Sequence, residues 1–80
     1  MNGFEDIWGN GQHYRIIVEP PNVSHPEGFM VAIFKGDGLK EVVSTPRISL
    51  PDESADELVR KARIEVYGHA AKAAKAAGEK

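Results

Sequence analysis

Three histidines are the first side chains in this sequence that could do chemistry: His13, His25 and His69. No two of them are four residues apart, the spacing that puts a pair of imidazoles on one helix face for zinc. The chain has no cysteine to complete a ligand set. A metal site would need all three to converge from a strand start, a loop and a helix, and we expect none. Ser24 and His25 are adjacent, but a nucleophile and its base normally come from separate parts of a fold. We read them as a polar loop. The carboxylate pairs Asp52-Glu53 and Asp56-Glu57 fit a helix start, where negative charge is favoured. Gly9-Asn10-Gly11 is no dinucleotide fingerprint, because Tyr14 stands where the third glycine belongs and the segment precedes a strand. These residues imply no catalytic site, no cofactor and no small-molecule ligand, and we expect a non-enzymatic protein.

The element that must organise the chain runs from Pro51 to about Ala77. Ser54-Ala55-Asp56-Glu57 has the form of a capping box, with a hydroxyl at the cap and a glutamate three residues on. Behind it Ala55, Leu58, Val59, Ala62, Val66, Ala70 and Ala73 recur at helical spacing on one face. Gly68 interrupts this helix and predicts a kink or fraying. Residues 70–80 read as a fraying helical or disordered tail, with Gly78 as a stop.

Three strands precede the helix. His13 to Glu19 alternates, with Tyr14, Ile16 and Val18 on one face and Arg15, Ile17 and Glu19 on the other. Phe29 to Lys35 is apolar on both faces. Leu39 to Thr45 follows the Gly36-Asp37-Gly38 turn, Pro46 interrupts it, and Arg47 to Leu50 continues as an edge. Pro20 to Gly28 is a loop, since proline cannot donate to a ladder. Residues 1–12 form an N-terminal arm in which Phe4, Ile7 and Trp8 fall at i, i+3 and i+4, as in one helical turn or an arm across the sheet. The expected fold is α+β: a three-stranded antiparallel sheet with one long C-terminal helix packed on one face. Eighty residues support one domain, spanning 1–80.

Composition narrows the partners. Hydrophobic residues make up 41 % of the chain, which argues against disorder. The longest apolar run, Phe29 to Phe34, is far short of the ~20 residues of a membrane helix. The acidic start Met1 to Asp6 does not resemble a signal peptide. With cysteine absent as well, we expect a cytoplasmic protein. Net charge is −2, unevenly spread: residues 1–57 hold four bases and ten acids, residues 58–80 six bases and two acids. That gradient suits the helix dipole, and it would also suit an acidic partner.

Tyr14 to Val18, Gly28 to Ile33 and Ser54 to Leu58 together resemble the small HicB-type antitoxin domains. Those have a tyrosine-led first strand, a glycine-aromatic second strand and a Thr-x-x-Glu-Ala-like helix opening. The likeness covers roughly residues 14–70. It departs from the family at Gly36-Asp37-Gly38, where a Pro-Asp pair is usual, and lacks the separate DNA-binding tail. The chain is also similar to short bacterial proteins of the same layout. The resemblance implies a domain that acts by contact and pairs with itself.

Two surfaces are candidates for that contact. One is the sheet face away from the helix, with Ile17, Met30 and Phe34, which either Trp8 and its arm or a second copy would cover. The other is the outer stripe of the helix. There Ile64 and Tyr67 lie nearly opposite the core face, flanked by Arg60 and Arg63. The expected function is a protein-interaction domain with a protein partner or a homodimer. The alternative is a duplex-RNA-binding domain that uses the basic helix. The acidic total, and the lack of a Lys/Arg cluster at the helix N-terminus, weigh against it.

Overall fold

The computed structural model describes residues 3–78. The outermost residues of the arm and the tail, 1–2 and 79–80, lie outside them. Four strands are followed by one helix: β1 (Gly3–Gly9), β2 (Gln12–Glu19), β3 (Met30–Lys35), β4 (Glu41–Ile48) and α1 (Ala55–Gly78). The sheet is antiparallel throughout, in the order β1-β2-β3-β4. The class is therefore α+β as expected, with four strands instead of three.

The extra strand is the N-terminal segment read as an arm or a helical turn. Phe4, Ile7 and Trp8 gave it helical spacing, but Asn10-Gly11 decides its structure. Both residues have positive φ, 52° and 81°, the conformation a two-residue hairpin turn of the favoured hand requires. Asn tolerates it and Gly adopts it freely. The turn sets Gly9 opposite Gln12, and pairing runs back to Gly3 opposite Val18. Phe4 and Trp8 then share one face of the sheet, while Ile7 points to the other.

The far edge is corrected too. Asp37–Leu39 forms a short 3-10 turn, so the strand starts at Glu41 instead of Leu39. It continues through Pro46 to Ile48 as one strand. Pro46 is accommodated because the register slips between the Val31–Arg47 and Ile33–Ser44 pairs. A proline on an edge strand at a bulge costs no ladder bond.

α1 covers one face. Tyr14, Ile16, Val18, Val31 and Ile33 from the sheet meet Leu58, Ala62, Val66 and Ala70 from the helix, all buried. Strand period two places Tyr14, Ile16 and Val18 on one face, and helix period 3.6 does the same for Leu58, Ala62, Val66 and Ala70. The Tyr14 ring is fully buried, and its hydroxyl is hydrogen-bonded to His69 Nδ1 at 3.0 Å. Burying this phenol leaves no polar group unsatisfied. Gly9 lets the helix come close: a Cβ there would lie 2.8 Å from Ala70 Cβ.

The helix start follows the capping-box expectation in one half. Ser54 Oγ accepts the Glu57 N–H at 3.2 Å. Glu57 answers through its carboxylate, which accepts from the Ser54 hydroxyl and not from its backbone N–H. The helix runs unbroken through Gly68, so no kink forms there. A single glycine costs about 1 kcal/mol relative to alanine, too little to break a helix anchored by Val66 and Ala70 on either side.

Candidate interaction surfaces

The three histidines go to three separate places. His25 Nδ1 donates to the Gly28 carbonyl at 2.9 Å, so its Nε2 accepts from Asn22 Nδ2 at 3.1 Å. Asn22 Oδ1 also accepts the Ser24 N–H at 2.8 Å, which makes this loop an Asx-type turn. His69 is engaged with Tyr14, and His13 lies on the opposite face of the sheet. Among the described residues no three His, Asp or Glu side chains gather as a metal site.

The face of the sheet away from α1 has no covering layer among the described residues. Register places Phe4 beside Ile17 and Ala32, Asp6 beside Arg15 and Phe34, and Trp8 beside His13. Met30 lies between Glu19 and Ile48, and Val42 beside Phe34. Four large apolar side chains are well exposed here: Phe4 by 62 %, Trp8 by 67 %, Val42 by 49 % and Ile48 by 46 %. Ile17, Met30 and Phe34 are half-buried among their neighbours. The sequence-derived set Trp8, Ile17, Met30 and Phe34 thus falls on one continuous face. Phe4 and Trp8 do not fold over this face as a cover; they extend it.

The β1–β2 half of the face is tied into a lattice. Arg15 grips Asp6 with two bonds, Nε to Oδ1 at 2.7 Å and Nη2 to Oδ2 at 3.0 Å. Its guanidinium lies 4.1 Å from the centre of the Phe4 ring, a cation–π contact. His13 Nε2 sits 3.0 Å from Asp6 Oδ1, and the His13 ring stacks on Trp8 at 4.7 Å. Arg15 chiefly, with His13 helping, holds the Asp6 carboxyl down to about 2 from an ordinary 3.8. Because the folded value lies below the unfolded one, the contribution is complete above about pH 4 and is lost as pH falls toward 2. A carbon-detected titration of the Asp6 carboxyl should give a midpoint near 2. In Arg15→Gln the midpoint should rise toward 3.8, and an unmoved midpoint would exclude the Arg15 contact.

The outer helix stripe lies on the opposite side of the molecule. Ile64 is 66 % and Tyr67 54 % exposed, and Arg60 is exposed beside them. Arg63 is exposed as well, but it forms an ion pair with Glu5 of β1. This pair lowers the Glu5 carboxyl and raises the Arg63 guanidinium, chiefly through their hydrogen bonds. Lys61 is paired with Glu53, and Arg47 of β4 reaches Glu65 at 3.2 Å. Two of the helix bases therefore neutralise acids of this same chain.

Sequence reasoning missed Phe4, Val42 and Ile48 as members of the open face. Asn10-Gly11 was the available signal for the first, since a hairpin makes Phe4, Asp6 and Trp8 alternate with the core-facing residues. No comparable signal fixed Val42 and Ile48, because two register shifts separate them. In comparisons with protein-family models, curated proteins and solved structures, nothing matches this chain. No helix among the described residues is long and apolar enough to cross a membrane.

Proposed function

We propose that this chain is a non-enzymatic protein-interaction domain whose working surface is the open face of the sheet. The observation that carries this reading is the exposure of Phe4, Trp8, Val42 and Ile48 on one face of a sheet whose other face packs its central strands against the helix. Contiguous apolar surface on a small domain marks a contact site. Aromatic residues with an arginine among them are the composition that interfaces favour. The likeness to HicB-type antitoxin domains belongs to the same proposal, as a domain that acts by contact. The absence of cysteine supports a cytoplasmic setting. A duplex-RNA reading through the basic helix draws less support, because Lys61 and Arg63 are already held by Glu53 and Glu5.

The test is capture of partners from the native host on three immobilised proteins: the intact chain, Ile17→Asp, and Ile64→Ser with Tyr67→Ser. The sheet variant should lose the bound partners and the helix variant should keep them. The opposite pattern would move the working surface to the helix. Steep loss of duplex RNA binding with rising salt would favour the nucleic-acid reading instead.

A further inference from the structure

Over β2, β3 and β4, from the Arg15 row to the Glu19 row, the open face is self-complementary about one axis, and we infer that its occupant is a second copy of this chain, packed face to face. This inference rests on the proposed function and names its partner.

A two-fold dimer needs a surface on which each residue meets its own complement. The axis would lie in the interface, perpendicular to the strands, through the row Phe4–Ile17–Ala32 defined by the pairing register. Rotation about it carries each strand onto its own copy with direction reversed. Ile17 then faces Ile17 of the other copy. Arg15, one step to one side, faces Glu19, one step to the other. Phe34 faces Met30 by the same operation, and Val42 faces Ile48. Charge meets opposite charge and apolar meets apolar in every one of these pairs. The other in-plane axis, parallel to the strands, would set Arg15 on Phe34 and Glu19 on Met30, stripping both charges of water without a partner.

The two charges are equipped for this role. Arg15 spends Nε and Nη2 on Asp6, and a guanidinium has five N–H donors, so others remain. Glu19 is half-buried at the end of β2. It belongs to no ion pair among the described residues, although five lysine or arginine pairs form. A shallow depression lined by Phe4, Arg15, Ile17 and Glu19 lies along the axis row. Packed sheets cross at about 30°, and the long side chains of Arg15 and Glu19 span the offset this introduces. The footprint, roughly 19 by 23 Å from strand spacing and length, is at the small end for specific interfaces. The dimer should therefore assemble with concentration.

Light scattering and sedimentation across the micromolar to millimolar range should show the mass rising from 8.7 kDa toward twice that value. Glu19→Arg sets Arg15 against a like charge and should weaken the dimer at least tenfold, while Glu19→Gln weakens it less. Ile17→Asp should remain folded, as judged by circular dichroism, and be monomeric. Since the chain has no cysteine, Ile17→Cys provides a second readout that needs no disruption. A short bis-maleimide should link Ile17→Cys into dimers and leave Ile64→Cys as monomer. A protein that stays monomeric at every concentration overturns the dimer. So does a dimer that is indifferent to Glu19→Arg, or one that cross-links through Ile64→Cys. If the protein is monomeric while Ile17→Asp still loses host partners, the proposed function stands and only the choice of occupant fails.

Discussion

Leu58→Ala should cost about 2–5 kcal/mol and move the midpoint of urea unfolding sharply lower. Leu58 is the first large side chain behind the Ser54 cap and is only 6 % exposed. It packs in the cluster that holds Ile16, Val31 and Ile33. Removing its branched end leaves a cavity that the β-branched residues around it cannot easily fill. A domain of this size holds on the order of 5–10 kcal/mol in total, so one such cavity consumes much of the margin. Urea unfolding measures it directly, with Ile64→Ala on the outer face as the reference. Ile64 is 66 % exposed, and its truncation should shift stability by no more than about 0.5 kcal/mol. Equal losses in the two variants would mean that the helix is rotated from the phase described.

Gly28→Ala should destabilise by about 1–3 kcal/mol through overpacking. Its position needs close approach and not an unusual φ. A Cβ on Gly28 would fall 2.5 Å from the Ser49 carbonyl oxygen and 3.0 Å from its Oγ. Neither atom is free to move. Ser49 N–H donates to the Phe29 carbonyl at 2.8 Å, and Phe29 N–H donates to Ser49 Oγ at 2.9 Å. These bonds fasten the entry of β3 to the exit of β4, so the methyl group would push apart the end of the sheet that carries Met30 and Ile48. Gly3→Ala is the control, because an added Cβ there meets nothing within 4 Å. Hydrogen exchange at the Phe29 and Ser49 amides should quicken in Gly28→Ala alone. Unchanged exchange at both would show that the backbone yields without strain.

What the sequence made legible follows from how each element is specified. The helix and its core face were readable because Leu58, Ala62 and Val66 repeat over several turns and Ser54 marks their start. The facing strand residues Tyr14, Ile16 and Val18 alternate without interruption. β1 was not readable by periodicity, since Phe4 and Trp8 belong to one face and Ile7 to the other. Its identity is set by the turn at Asn10-Gly11, a local backbone requirement that hydropathy does not register. β4 was obscured by Pro46, which usually ends a strand but here occupies a register slip. As for the candidate surface, Ile17, Met30 and Phe34 followed from alternation alone. The Asp6–Arg15–Phe4 lattice did not, because it needs the cross-strand pairing that only the missed hairpin provides.

The strand order also governs how the protein comes into being. Each strand pairs only with its neighbours in the chain, so the sheet closes through connections of two, ten and five residues, local contacts that form quickly. The helix is the last element of the described chain to be synthesised, 24 residues long, and at about 5–20 residues per second its translation takes about 1–5 s. β-hairpins form in about 1–10 μs. The strands can therefore pair as they emerge, before the helix is free to dock, with both faces of the forming sheet bare. In that interval the surface around Tyr14 and Ile33 is as sticky as the one around Ile17. Chaperone binding or premature association during synthesis is the vulnerability that comes with placing the covering helix last.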